Sequence, residues 1–317
     1  MRRHSVLALL LLSGALSGCA VKPAHAPDRV ADAAAAASVQ TIASYPSGTF
    51  LENLDVGPDG AVLVTSYLDR SLLSWSGVGP PRVVATLPAH PVGVLSRAGD
   101  VIVSAHGAPF TRGPAFTGTN MMLVLDRSGR VIRRTAAPDA LFLNGLVELS
   151  PDIILAADSL AGRIWAYDPG RGAIVSWFAD PLLAVDPAQT AQRPGANGLK
   201  IVGDQLYISN TSRGAIYRLR VADGRPAGPL QTFASTGPVD DFAPLPDGSI
   251  AAATHGRKLI HVATDGAVSD IMAEGCDGCT SVAALGSGDL VVLTTGDLLE
   301  GGAKPARMLR VTSPVGR

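Results

Sequence analysis

A short phrase returns six times along this chain at intervals of roughly 40 to 50 residues, and that period limits the fold more tightly than any other property of the sequence. Four returns begin on a polar side chain: Glu52 in "LENLDVGPDGAVLVT", Asn144 in "FLNGLVELSPDIILAA", Asn197 in "GANGLKIVGDQLYIS" and Asp240 in "VDDFAPLPDGSIAAA". Weaker echoes stand at Val92 in "PVGVLSRAGDVIVSA" and Thr280 in "CTSVAALGSGDLVVLT". Each phrase leads into a turn such as "PDG", then an apolar strand, a Gly-containing turn and further strands. Units of this length stack as blades, so the phrase predicts an all-β, six-bladed β-propeller.

In a propeller the innermost strand of each blade starts near one mouth of a central channel, so equivalent positions far apart in sequence become neighbours. Glu52, Asn144, Asn197 and Asp240 would then bring two carboxylates and two amide oxygens together. An all-oxygen donor set suits a hard cation, Ca²⁺ foremost, with Mg²⁺, Mn²⁺ or Zn²⁺ as alternatives. Each residue also has a plainer reading, because Asn or Asp before Gly is a common turn former.

The first residues have a different character. Arg2 and Arg3 precede an apolar run from Val6 to Leu12, and "LSGC" ends at Cys19. This has the form of an export signal, residues 1–18, with a lipoprotein cleavage box. An apolar run of about ten residues is too short for the ~20 that span a bilayer. Acylation of Cys19 is therefore expected to tether the mature chain to a membrane through lipid. Ala20 in place of Asp directs such a lipoprotein to the outer membrane, facing the periplasm. Residues 19–38, Ala-rich with Pro23 and Pro27, read as a tether with nothing to bury.

Residues 39–317 read as the propeller domain. Runs of Val, Ile, Leu and Tyr are punctuated by Gly, Pro and Asp, and no stretch keeps helical periodicity. With 26 Lys and Arg against 27 Asp and Glu, the chain lacks the basic footprint that nucleic acid demands, and DNA or RNA is not an expected partner. "VQTIASYP" resembles the strands "PRVVATLP", "LQTFAST" and "SDIMAEG" that come just before later phrases. It is expected to give the sixth blade its outer strand, beside C-terminal strands that include "ARMLRVTSP", and so to close the ring. A monomer is expected. Cys276 and Cys279, in "CDGC", are the pair left after Cys19 is modified, and in an exported protein they read as a local disulfide.

The order Glu52, Asn144, Asn197, Asp240 on the first, third, fourth and fifth units resembles the senescence marker protein, regucalcin and gluconolactonase family of six-bladed propellers. "GANGLKIVGDQLYISNTSRGAIYRLRV" and "CTSVAALGSGDLVVLTT" resemble that family's fourth and sixth blade phrases. The resemblance covers the chain from about residue 39 onward. It implies a divalent cation held by Glu52, Asn197 and Asp240, with Asn144 completing the shell or holding substrate, and hydrolysis of a lactone or related ester. The pairs Glu52-Asn53 and Asp240-Asp241 also look like those of the paraoxonases. In that comparison His106 matches a blade-two histidine, while the second histidine would fall near Val92, with His90 close by. A cation would polarise the carbonyl and lower the pKa of water. Asp240 is the favoured general base and His106 the alternative.

Other polar residues read as structural. Asp158 and Asn210 stand at equivalent strand ends and read as turn caps; Asp59-Gly60 and Asp247-Gly248 read as hairpin turns. His255 and His261 read as surface or strand-edge residues and His90 as a loop residue. The insertions "GAPFTRGPAFTGTNMM" and "DPLLAVDPAQTAQRPGAN" read as loops over the mouth, with Phe110, Phe116, Leu182 and Leu183 as apolar walls. Two other functions fit the same frame: a periplasmic binding or scaffolding propeller with a structural cation, and metal-independent chemistry like that of strictosidine synthase-like proteins, worked by a pocket acid.

Overall fold

The structure, a computed structural model, describes residues 37–110, 117–189 and 193–312. The export signal, Cys19, nearly all of the tether and Phe116 lie outside the described residues.

Six antiparallel sheets form the six blades of a β-propeller. Blade one is β2 (Leu51–Val56), β3 (Val62–Ser66), β4 (Ser71–Trp75) and β5 (Arg82–Thr86). Blade two is β6 (His90–Ser96), β7 (Asp100–His106), β8 (Asn120–Asp126) and β9 (Val131–Ala136). Blade three is β10 (Leu143–Ser150), β11 (Ile153–Asp158), β12 (Arg163–Asp168) and β13 (Ala173–Ala179). Blade four is β14 (Ala196–Val202), β15 (Gln205–Asn210), β16 (Ala215–Ala222) and β18 (Gln231–Ser235), with the short β17 (Arg225–Pro226) also paired to β16. Blade five is β19 (Val239–Pro244), β20 (Ile250–Thr254), β21 (Leu259–Val262) and β22 (Val268–Met272). Blade six joins β23 (Cys279–Ala284), β24 (Leu290–Thr294) and β25 (Ala306–Thr312) to β1 (Ser38–Tyr45) from the other end of the chain.

The closing strand is the one expected from "VQTIASYP". β1 runs antiparallel to β25 with Val39 opposite Val311 and Tyr45 opposite Ala306. The two ends of the chain are thus paired in one sheet, which closes the ring.

The middle strands are apolar on both faces because each blade is packed between two others. In β7, Val101 and Val103 pack with Leu63 and Leu72 of blade one, whereas Ile102 packs with Leu146 and Ile154 of blade three. The same alternation recurs in β3, where Leu63 joins the core against blade two and Val62 and Val64 join the core against Val291 and Leu293 of blade six. One hydrophobic core thus fills each junction between neighbouring blades.

Near the axis the junctions are fastened by buried hydroxyls. Each donates to a backbone carbonyl of the neighbouring inner strand: Thr65 to Val92, Ser104 to Asn144, Ser159 to Ala196, Ser209 to Asp240 and Thr280 to Leu51, at 2.6–2.8 Å. The glycines of the repeated phrase serve this same close approach. A Cβ on Gly145 would lie 2.5 Å from the Asn197 carbonyl oxygen, and one on Gly198 would meet Asp241. Asn144-Gly145 and Asn197-Gly198 are therefore strand residues at a backbone crossing, and the turn reading of these two pairs does not hold.

Candidate active site in the central channel

Glu52, Asn144, Asn197 and Asp240 are each the second residue of their inner strand, in β2, β10, β14 and β19. At that point the ladder to the next strand is interrupted, between Leu51 and Leu54, Leu143 and Leu146, Ala196 and Leu199, and Val239 and Phe242. A bulge frees a residue from regular pairing and re-aims its side chain. The repetition of one irregularity in four blades puts the four polar residues in equivalent positions.

The hydrogen bonds fix which amide atoms are available. Ser159 Oγ gives its proton to the Ala196 carbonyl, so it can only accept from Asn144 Nδ2, at 3.2 Å. Thr211 Oγ1 gives its proton to the Val239 carbonyl and accepts from Asn197 Nδ2 at 3.0 Å. In both asparagines the nitrogen is held by the protein and Oδ1 remains as the donor atom for an ion. Asn197 Nδ2 also donates to Asp240 Oδ1. Asp240 Oδ2 is buried and has no hydrogen-bond partner among the described residues; His255 Nε2 lies 3.0 Å away but out of line for a hydrogen bond.

Burial, and secondarily the nearby Asp241 carboxylate, push Glu52 up from its ordinary value to about 8. Burial, then Glu52 and Asp241, also raise Asp240 well above the ordinary carboxylate range. Asp241 is fully partnered: it accepts from Lys200 Nζ at 2.6 Å, Ser281 Oγ at 2.7 Å and Asn53 Nδ2 at 3.2 Å. Lys200 thus answers one of three acids. The two that remain have no Lys or Arg in contact with them among the described residues, and one carries an orphaned oxygen.

That combination fits a hard divalent cation. Among the described residues no three His, Cys, Asp or Glu side chains come together as a metal cluster, so the two asparagine oxygens are needed to complete a cage with Glu52 and Asp240.

His106, the other expected base, ends β7 and is fully buried. Its Nε2 lies 3.1 Å from the Leu143 carbonyl, which can only accept, so Nε2 carries the proton and Nδ1 accepts from Tyr67 Oη at 3.2 Å. Burial lowers its pKa to about 4. His106 therefore stands as a neutral link between blades one and three, packed edge-on to Phe142.

His255 departs from its reading as a surface residue. It follows β20, its side chain is 17% exposed, and it reaches Asp240. Burial, with the Arg193 charge second, lowers its pKa to about 4. Its neighbourhood to Asp240 is set by the return of β20 to the mouth, and no local motif signals it. His90 likewise belongs to β6 rather than a loop, with Nδ1 donating to the Tyr67 carbonyl at 3.0 Å. Leu183 is core between blades three and four, not pocket wall.

Asp158 and Asn210 are caps, as expected. Asp158 accepts from the backbone of Leu141, Phe142, Leu160 and Ala161 and from Trp165 Nε1. Asn210 holds the Leu182 and Ala184 carbonyls. Cys276 and Cys279 form a disulfide across the turn that enters β23.

No family model matches the sequence, and no curated protein sequence matches it. Solved structures do share its fold. A luciferin-regenerating enzyme is 14% identical over 87% of this chain and 95% of its own, with a TM-score of 0.65. A gluconolactonase from Xanthomonas campestris is 16% identical over 87% and 90%, with a TM-score of 0.62. A calcium-binding regucalcin from Agrobacterium tumefaciens is 17% identical over 87% and 98%, with a TM-score of 0.59. The chain is therefore similar in fold to the gluconolactonase and regucalcin propellers that its repeats resemble.

Proposed function

We propose that this propeller is a divalent-cation-dependent hydrolase of lactones or related esters. The observation that carries the reading is the pairing of a half-buried Glu52 with a buried Asp240 at the convergence of the inner strands, with Asp240 Oδ2 lacking a partner among the described residues. Glu52, Asp240 and the Oδ1 atoms of Asn144 and Asn197 would hold the ion, Ca²⁺ by donor chemistry. When bound, such an ion supplies Lewis-acid polarisation of a carbonyl and a lowered pKa for water.

The chain's own residues do the rest. Asp240, fixed through Oδ1 by Asn197, takes the proton of the attacking water at Oδ2. His255, 3.0 Å from that oxygen, borders it on one side without a hydrogen bond, which leaves Oδ2 free to act. We assign the base to Asp240 rather than His106, whose two nitrogens are held by Leu143 and Tyr67. The buried aromatic surroundings of His106 exclude water from one side of the mouth.

Metal content of the purified wild type and Asp240→Ala, followed by lactone hydrolysis with and without chelator, tests the reading. Stoichiometric ion in the wild type, lost in the variant, with chelator-sensitive turnover, is expected. Ion without turnover would move the assignment to a non-catalytic binding propeller. Turnover that survives chelation would favour metal-independent chemistry of the strictosidine synthase-like kind.

The sequence also supports acylation at Cys19 and an outer-membrane, periplasm-facing location. Incorporation of labelled palmitate that is abolished by Cys19→Ala checks the anchor.

A further inference from the structure

The residue two places before each repeated polar position differs around the ring. It is Phe50 in blade one, His90 in blade two and Phe142 in blade three, but Gly195, Pro238 and Gly278 in blades four to six. The glycines are there because chain crowds them: a Cβ on Gly195 would lie 2.5 Å from the Leu183 carbonyl oxygen. One half of the mouth is thus walled by rings and the other is low and polar.

The wall is continuous. Phe50 packs on Tyr67 and Phe110 with ring centres 5.9 and 5.6 Å apart, Tyr67 on Phe110 at 5.0 Å, and Phe110 on Phe142 at 6.2 Å. Leu298 of blade six packs against the same cluster. Tyr67 Oη accepts from the Phe110 backbone N–H at 2.9 Å and donates to His106, which holds the rings in place. Phe50 and Tyr67 are buried, whereas Phe110 and Phe142 are only half-buried and keep part of their surface at the mouth. Glu52 and Asn144 follow Phe50 and Phe142 by two residues, so the wall rises directly beside the candidate donors. Across the channel stand Asp240, His255 and Arg193.

We propose that this wall is a subsite for an alkyl or aryl group, so that the substrate of the site is a lactone or ester carrying an apolar substituent and not a polyhydroxylated sugar lactone. The proposal rests on the hydrolase reading for the reacting bond and adds the class of group attached to it. A sugar ring would set hydroxyls against ring faces that offer them no hydrogen bond. An alkyl chain laid there loses water-exposed surface with each methylene, about fourfold in affinity per group.

The experiment uses the purified full chain with Ca²⁺ and compares kcat/KM for an unsubstituted γ-lactone, its butyl and octyl derivatives, and a sugar lactone. It is repeated with Phe142→Ala and Phe110→Ala, whose folding is checked by thermal unfolding. Binding of an octyl γ-lactam, which is not hydrolysed, is measured in parallel. The expected result is a rise of about fourfold per methylene over the first carbons and an octyl-over-unsubstituted ratio at least tenfold lower in either folded variant. Preference for the sugar lactone, indifference to chain length, or an unchanged ratio in both variants overturns the proposal. If no lactone is hydrolysed but the octyl lactam binds and loses affinity in the variants, the subsite stands and the hydrolase reading fails. Hydrolysis without chain dependence has the opposite meaning.

Discussion

Taking the metal-free protein from pH 6.5 to pH 8 should weaken it, and Glu52→Gln should remove most of the loss. The sign follows from proton binding. Glu52 titrates at about 8 in the folded chain against an ordinary 4.5, so between those values the folded state keeps a proton that the unfolded state has released. Stability then falls as pH rises. Below pH 6.5 a second effect runs the other way. His106 and His255 are held down to about 4 from 6.5, so acid favours the unfolded chain, which binds their protons. Above 6.5 each unfolded histidine has only its last half-proton to lose, which offsets about 0.4 kcal/mol apiece of the carboxyl effect. From 6.5 to 8 is 1.5 units, and at about 1.4 kcal/mol per unit Glu52 alone accounts for about 2 kcal/mol. Asp240, raised in the same direction, adds to it. Urea unfolding followed by tryptophan fluorescence in chelator, at both pH values, gives the numbers. Adding Ca²⁺ at about a hundred times its dissociation constant should return about 2.7 kcal/mol to the wild type and much less to Glu52→Gln. A wild type equally stable at both pH values, or a variant with an undiminished loss, would refute the reasoning.

Three further outcomes follow from buried polar groups and from ring closure. Ser209→Ala should lower stability by about 1–3 kcal/mol, because it leaves the Gly198 N–H and the Asp240 carbonyl unpaired in a dry junction; chemical denaturation measures it. Asp158→Ala should lower stability by about 3 kcal/mol or more, since one buried carboxylate holds four backbone N–H groups and the Trp165 indole, and the altered Trp165 fluorescence reports the loss. Truncation before Ala306 should leave β1 without its partner and abolish the cooperative thermal transition seen by calorimetry.

The propeller was legible because its signal is repetition. A period near 40 to 50 residues survives even where single phrases degrade, as at Val92 and Thr280. Glu52, Asn144, Asn197 and Asp240 were legible for the same reason, since equal places in the repeat occupy equal places in the blades. His255 was not. Its approach to Asp240 depends on the path of the chain after β20, and a lone histidine in a turn carries no periodic mark. The role of Gly145 and Gly198 was also hidden, because a glycine needed for contact between blades reads locally like one needed for a turn. Leu183 and Phe110 look alike in composition and loop context, yet one is sealed between blades three and four and the other stays at the mouth. Only the packing separates them.

The clasp between β1 and β25 also sets an order of events during synthesis. Val39 waits for Val311, 272 residues later in the chain, and at about 5–20 residues per second that is a delay of roughly 15–50 s. Until then β25 is missing from blade six, and the ring has no last side. Every nascent form of this protein therefore carries β1 with both of its edges unpaired, open to wrong pairing until β25 has been made.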